Sequence, residues 1–169
     1  MDLNFYSFIH SNFDLSIIRK DIENNKNKSM GRIFSELLRI AIPFVDFDLN
    51  EAVSALVKRE KFGSTAAGGG VAFPHSRIES IIDFIIIAYR LKNPIKWPFN
   101  SMDGKPVFFI ILILMPKYSY GQHHLILSRI YRDAFKNNTN IYSSEIKFVS
   151  AIRKVFESME NVKILKTFS

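Results

Sequence analysis

The clearest pattern in the chain is a pair of almost continuously apolar runs near its centre. They lie at 82–91 and 107–115 and are rich in Ile, with Leu and Phe. Runs of this length and composition are typical of central strands that are buried on both faces. Asp103 and Gly104 lie between the runs and indicate a turn. A glycine run at 68–70 permits a tight loop before a short predicted strand at 71–73.

Helical patterns precede these strands. Ser29 is in position to cap a first helix that ends before Pro43, and its apolar face consists of Ile33, Leu37, Leu38 and Ile40. Asp48 followed by Glu51 has the spacing of a capping box. This spacing predicts a second helix, which carries Arg59 near its C-terminal end.

Two further helices are predicted after the strands. Ser119 is expected to cap one that extends to about Phe135, and Ser143 or Ser144 is expected to cap the last. Residues 1–27 form an N-terminal segment whose apolar positions have no clean period, and a polar patch at 23–28 marks a loop. The order of these elements, with helices before and after the strands, predicts a single α/β domain over 1–169. In this domain a mixed β-sheet is flanked by helices.

Composition narrows the class of protein. The chain of 169 residues has the length of about one domain. It contains no cysteine, which excludes disulfides, zinc–thiolate sites and a thiol nucleophile. The N-terminus has no basic region before an apolar core and does not resemble a secretory signal. The apolar runs are shorter than the roughly 20 residues of a spanning helix. We therefore expect a cytoplasmic protein without membrane insertion.

The chain is basic, with a formal net charge of +7 and a pI of about 9.6. Such a charge can attract nucleic acid, acidic lipid or acidic proteins. The Lys and Arg residues are scattered and form no block of five or six, which favours a solvated surface. No nucleic-acid partner is expected.

The residues that are best suited to binding or catalysis are concentrated in one segment, residues 59–76. It contains Arg59, the hydroxyls of Ser64 and Thr65, the glycine run and His75. An arginine fork, hydroxyls and glycine amides can donate hydrogen bonds to phosphate, and an imidazole can carry a phosphoryl group. Each residue also has a simpler interpretation. His75 would be a loop histidine after Pro74, Arg59 a surface helix residue, and the two hydroxyls caps of a turn.

The glycines do not fit either of two common nucleotide-binding motifs. The segment at 63–68 lacks the Lys-Ser/Thr pair that follows in a P-loop, and the segment at 68–70 lacks the G-x-G-x-x-G frame. Neither ATP nor NAD is expected, and no cofactor is predicted.

Several motifs in order resemble one family. The pattern R-E-x-x-G-S-T followed by G-x-A-x-P-H resembles the active-site signature of type 2 EIIA proteins of the bacterial phosphotransferase system. These are the mannitol, fructose and nitrogen-regulatory EIIA domains. Residues 123–130 resemble the family helix that opens with its second histidine, and looser similarity lies at 93–97, 103–107 and 115–116. The resemblance extends from about 28 to 160.

The resemblance implies roles for individual residues. His75 would accept a phosphoryl group, while Arg59 and His123 hold the phosphate. Ser64, Thr65, Gly69 and Gly70 would assist as further phosphate-binding groups. His123 is chosen over His124 by alignment alone, and a one-residue slip would exchange them. Adjacent helical side chains are expected to diverge by about 100°, so the two should not act alike or share a metal, and no metal is predicted.

The resemblance also implies partners. The donor would be phospho-HPr or a paralogue. The acceptor would be a cysteine of an EIIB domain, with contact to a membrane permease where the EIIB domain belongs to one, or a regulated protein. With no fused EIIB or EIIC segment in the sequence, a nitrogen-regulatory type of phosphotransferase component is favoured over transport. The alternative is a non-catalytic regulatory protein-binding module that has kept the EIIA fold.

Overall fold

The computed structural model describes residues 4–16 and 25–169. The elements follow in the order β1 (Phe5–Phe13), α1 (Lys26–Arg39), α2 (Leu49–Lys61), β2 (Ala66–Gly68), β3 (Val71–Ala72), β4 (His75–Ile78), β5 (Phe84–Ile95), β6 (Val107–Pro116), α3 (Gln122–Ile130), α4 (Glu145–Glu157) and β7 (Val162–Phe168). A π-helical turn, Tyr131–Lys136, continues α3, and a 3₁₀ turn, Thr139–Tyr142, precedes α4. None of these helices has the length and apolar character that crossing a membrane requires.

The seven strands of the described residues form one mixed sheet. Its order is β2-β3-β6-β5-β1-β7, and β4 pairs with β6 beyond the end of β3. Strands β5 and β6 are antiparallel, whereas β1 is parallel to both β5 and β7. Strands β3 and β4 both run parallel to β6. The predicted fold class, a single α/β domain with a mixed sheet flanked by helices, is confirmed.

The two apolar runs are the central strands because each supplies residues to a core on both faces of the sheet. Ile85 and Leu112 pack with α1 and α2 on one face. Ile86 and Ile113 pack with α3 and α4 on the other. A strand covered on both sides has no polar positions to alternate with, and this explains why both runs are continuous.

Four strands were not predicted, namely the short β2 and β4 and the longer β1 and β7. Strand β1 lies within the N-terminal segment that lacked a clean period, yet it is inserted between β5 and β7. Its Phe8 and Ile9 are both fully buried, one in each core. Since β1 is covered on both faces where it crosses the sheet, its sequence does not alternate. The last strand, β7, pairs with β1 at the edge of the sheet that the described residues form.

The first and third helices do not begin at the predicted residues. Helix α1 begins at Lys26, and the side chain of Asn25 caps it by accepting from the backbone N–H of Lys28. Ser29 is already helical, and its hydroxyl donates to the carbonyl of Asn25. The polar patch at 23–28 is therefore a loop only in part, and 17–24 lie outside the described residues.

Helix α3 begins at Gln122, not near Ser119. Its N-cap is Gly121, whose φ of 74° lies in the left-handed region that glycine tolerates. The hydroxyl of Ser119 donates to the carbonyl of Pro116 instead. Ser144, one of the two predicted candidates, is confirmed as the cap of α4.

The predicted cap of the second helix is confirmed, and it fixes α2 against the sheet. The carboxylate of Asp48 accepts from the backbone N–H of Glu51. The carboxylate of Glu51 does not complete a capping box. It accepts from the backbone N–H groups of Glu79 and Ser80, directly after β4. These bonds tie the start of α2 to the end of β4, so the two elements that carry Arg59 and His75 are held side by side.

Candidate functional site

Arg59 and His75 meet between α2 and β4. The guanidinium Nε of Arg59 donates to Nε2 of His75 at 3.3 Å, and its Nη1 donates to the carbonyl of Gly63 at 3.0 Å. Arg59 lies in the last turn of α2, and His75 is the first residue of β4, opposite Ile113 of β6. The two residues that the sequence motif places 16 positions apart are thus in direct contact.

The backbone selects the tautomer of His75. Its Nδ1 lies 2.8 Å from the carbonyl oxygen of Phe73. A carbonyl oxygen only accepts, so Nδ1 carries the proton and donates to it. Nε2 then keeps a lone pair, which agrees with its position as acceptor of the Arg59 N–H. In this tautomer Nε2 is the ring nitrogen of His75 that carries the lone pair.

His123 is the nearest imidazole to His75. It is the second residue of α3 and only 5% exposed, and the two ring centroids are 5.3 Å apart. Its Nδ1 is buried without a hydrogen-bond partner among the described residues. Buried polar atoms are normally paired. An unpaired one is therefore unusual, and this one belongs to the ring beside the predicted phosphoryl acceptor.

His124 does not diverge from His123 as expected. The two ring centroids are 3.8 Å apart, and the exposed His124 lines the same pocket as His75 and His123. The angle of about 100° holds for the Cα–Cβ bonds only. Rotation about the two side-chain torsions brings the adjacent rings back together. Three of the four histidines of the chain thus lie at one site.

Burial and positive neighbours keep the two inner imidazoles neutral. Burial lowers the pKa of His75, and Arg59 and His124 lower it further, although the bond to Phe73 acts in the opposite direction. Burial also lowers the pKa of His123 to about 4, with added effects of His124 and His75. At neutral pH both rings are therefore available as neutral bases or nucleophiles.

These side chains line an open pocket of about 580 Å³. Three cationic residues, Lys58, Arg59 and Arg77, contribute to its wall together with the histidines, and none of its described lining residues is acidic. Lys58 and Arg77 were not predicted as site residues. A pocket with this wall is suited to an anion. Among the described residues, no group of three or more His, Asp or Glu side chains is arranged to hold a metal ion.

Ser64 and Thr65 are not among the residues that line the pocket. The hydroxyl of Ser64 donates to the carbonyl of Asn100 at 2.5 Å. The hydroxyl of Thr65 donates to the carboxylate of Glu60 at 2.7 Å. Both hydroxyls lie in the turn that follows α2, and each has a structural partner, one between β5 and β6 and the other within α2.

Gly69 and Gly70 lie further away, in the turn between β2 and β3. The N–H of Gly69 donates to Asp103, and the carbonyl of Gly70 accepts from the backbone of Phe108. Strand β3 pairs with β6 four residues before β4 does, which corresponds to about 13 Å along the strand. The structure does not bring either glycine to His75.

Glu60 is the residue that sequence reasoning missed. It is 1% exposed and accepts from three donors, the N–H and hydroxyl of Thr65 and the indole N–H of Trp97. A signal was present, because Glu60 follows Leu56 and Ala52 at intervals of four on the buried face of α2. This carboxylate anchors the turn directly after Arg59.

The family comparison agrees with the fold. The chain matches the family described as phosphoenolpyruvate-dependent sugar phosphotransferase system, EIIA 2, over residues 18–143. That match covers more than half of the sequence, and the protein belongs to this family. The resemblance inferred from the motifs is confirmed.

Individual relatives give the same class. The chain is 35% identical over 107 residues to a nitrogen regulatory protein of Bradyrhizobium diazoefficiens, covering 63% of this chain and 69% of the relative. The structure of nitrogen regulatory protein IIA-Ntr from Neisseria meningitidis superimposes with a TM-score of 0.64 at 24% identity, over 85% of this chain and 92% of that one. Enzyme IIA for mannitol from Escherichia coli, in its complex with phosphorylated enzyme IIB, gives a TM-score of 0.53 at 16% identity, over 77% and 88% of the two chains. The structural likenesses show a shared fold.

Proposed function

We propose that the protein is a phosphocarrier whose His75 accepts a phosphoryl group at Nε2 from the phosphohistidine of HPr or a paralogue. The observation that carries this proposal is the paired contact of His75. Phe73 fixes the proton on Nδ1 and Arg59 lies against Nε2. Phosphoryl transfer requires a positioned nucleophile and cations around the transferring group, and little other covalent chemistry.

In the proposed step, the Nε2 lone pair of His75 attacks phosphorus while the phosphorus–nitrogen bond of the donor breaks. The bonding electrons return to the donor imidazole, which leaves as a neutral ring. His75 retains its Nδ1 proton, and the carbonyl of Phe73 stabilises the positive charge that the ring acquires. No external base or metal is needed, because the reactive bond arrives with the donor.

Arg59 serves this transfer in two ways. In the resting site its Nε–H donates to the Nε2 lone pair of His75 and so orients the ring. This bond breaks when the lone pair attacks phosphorus, and the guanidinium N–H groups then donate to the phosphate oxygens. Lys58 and Arg77 add positive charge at the same pocket. His123, neutral at rest, is the proposed partner histidine, and its pKa rises when a phosphoryl dianion forms beside it.

Onward transfer defines the role in the cell. We propose that phospho-His75 passes its group to an EIIB-type cysteine or acts as a regulatory signal in the cytoplasm. The regulatory role is favoured, because the relative from Bradyrhizobium diazoefficiens and the structure from Neisseria meningitidis are both described as nitrogen regulatory proteins. The complex of a related fold with phosphorylated enzyme IIB supports an EIIB-type partner.

The second candidate is a non-catalytic regulatory module that has kept the fold. The net charge of +7 favours it, because this charge would repel a donor with a basic surface. The two candidates separate in one experiment. The protein is incubated with phosphoenolpyruvate, enzyme I and HPr, and its intact mass is measured. We expect one acid-labile phosphoryl group, absent from His75→Ala. An unchanged mass in the wild-type protein would exclude the phosphocarrier and leave the binding module.

A further inference from the structure

We propose that the rim of the pocket is a docking surface for the acidic face of a phosphoryl-carrying protein. We define the rim by three cations and three aromatic residues, Lys58, Lys61, Phe62, Arg77, Tyr118 and Tyr120. This inference rests on the proposed function and adds the chemistry of the partner.

The aromatic residues of the rim are exposed to an unusual degree. Phe62 lines the pocket and is 81% exposed, and Tyr118 and Tyr120 are 75% and 82% exposed. Arg77, another lining residue, donates from Nε to the carbonyl of Ser119, which holds the loop of the two tyrosines beside the pocket. Large exposed aromatic side chains near a reactive site are typical of protein interfaces. A phosphate alone would not use them.

Among the described residues, the cations of the rim form no ion pairs. In the described part of the chain, no carboxylate lies within ion-pair distance of Lys58, Lys61 or Arg77, whereas the neighbouring Lys117 is paired with Glu79. Lys61 lies one helical turn beyond Lys58 and does not line the pocket. Its charge therefore adds to the positive surface beside the pocket and not to the pocket wall.

Charge complementarity favours a donor protein with an acidic surface over one with a basic surface. An acidic face around the donor phosphohistidine would be attracted by these cations and by the net charge of +7, whereas a basic face would be repelled. The preferred partner is therefore a protein with carboxylates around its phosphorylated residue, and the attraction acts mainly on the rate of association.

The test uses two phospho-HPr donors built on one backbone. One carries glutamates and the other lysines at three exposed positions around the phosphohistidine. We expect the acidic donor to transfer to the wild-type protein at least about tenfold faster at low salt, and the difference to shrink as salt screens the charges. Equal rates, or a faster lysine donor, would overturn the proposal.

A matched pair of variants locates the effect. The double variant Lys58→Glu with Lys61→Glu should abolish or reverse the preference for the acidic donor. The control, Lys163→Glu with Lys166→Glu on β7, makes the same charge change on the strand separated from β4 by β6, β5 and β1, and it should keep the preference. A control that loses the preference as fully as the rim variant would assign the effect to net charge and contradict a docking surface.

Failure of the proposed phosphoryl transfer would give a different result from failure of the docking surface. If neither donor phosphorylates the protein, the unphosphorylated forms of both HPr variants are titrated and their binding is measured by calorimetry. Tighter binding of the acidic form, lost in the rim variant, would support the docking surface without phosphoryl transfer. Binding of neither form, or tighter binding of a random-sequence oligonucleotide to the same rim, would overturn it.

Discussion

The guanidinium of Arg59 donates a hydrogen bond to Nε2 of His75 at 3.3 Å. This contact exists only while the imidazole is neutral, since a protonated Nε2 cannot accept. Because Phe73 holds the other nitrogen, one ring has both of its nitrogens oriented by the protein before any phosphate arrives. Such preorganisation is what a transfer step with little covalent chemistry requires.

Replacing Arg59 should slow phosphoryl transfer. Arg59→Ala removes both the bond that orients His75 and a cation at the pocket, and we expect a loss of roughly 10²–10³-fold, comparable to that of one oxyanion-hole donor. Single-turnover transfer from phospho-HPr, followed by quench and intact mass, measures it. Arg39→Ala, which changes an exposed arginine on α1 that is paired with Glu36, is the matched control. A normal rate in Arg59→Ala would show that His75 needs no such partner.

His123 and His124 should differ in their effect on the same transfer rate. His123→Asn keeps a polar side chain in the buried position and should slow transfer by roughly tenfold or more, as the loss of one preorganised donor would. His124→Asn should stay within a few-fold of wild type, because its ring is exposed and packs on His123 instead of His75. A crippled His124 variant beside a normal His123 variant would reverse the two assignments.

The buried His123 should make stability depend on pH in a defined direction. Its pKa is about 4 in the folded protein, below the ordinary 6.5, so the unfolded chain binds more protons between these values. The free energy of unfolding should therefore fall as the pH is lowered from about 6.5 towards 4. Urea titrations across this range measure it, and His123→Asn should flatten the slope. An equal slope in the variant would show that His123 is not the group responsible.

The buried carboxylate of Glu60 should be important for stability. Glu60→Ala leaves the Trp97 indole and the Thr65 N–H and hydroxyl without their acceptor, a change expected to cost about 2–5 kcal/mol. Trp97, the only tryptophan of the chain, reports unfolding by fluorescence. Glu36→Ala, on the exposed side of α1, should stay within about 0.5 kcal/mol of wild type. Equal stability of the two variants would contradict the anchoring role.

The basic charge should not make the protein a nucleic-acid binder. Binding to random-sequence DNA or RNA would weaken by large factors between about 50 and 200 mM salt, and we expect no such binding at the higher concentration. Parallel titrations with HPr and with an oligonucleotide at both concentrations test this. Tight, salt-sensitive oligonucleotide binding without any HPr interaction would contradict the phosphocarrier interpretation.

Local signals in the sequence predicted much of the fold, although the caps expected at Ser29 and Ser119 were wrong. The apolar runs predicted β5 and β6, and the motif that holds Arg59 and His75 predicted the family. Strand β1 was missed because its burial comes from β5 and β7, far away in the chain. By residue type alone, the hydroxyls of Ser64 and Thr65 could bind a phosphate as well as a partner within the protein. Their actual partners, Asn100 and Glu60, are set by tertiary packing and have no signature in the motif.

The most direct test of the central claim is to locate the phosphoryl group on a single atom. After phosphorylation through HPr, long-range ¹H–¹⁵N correlation spectra of the histidine rings distinguish the two nitrogens of each imidazole. The account predicts phosphorylation of His75 alone, at Nε2, with Nδ1 still protonated. Phosphorylation at Nδ1 of His75, or on His123 or His124 in place of His75, would contradict it.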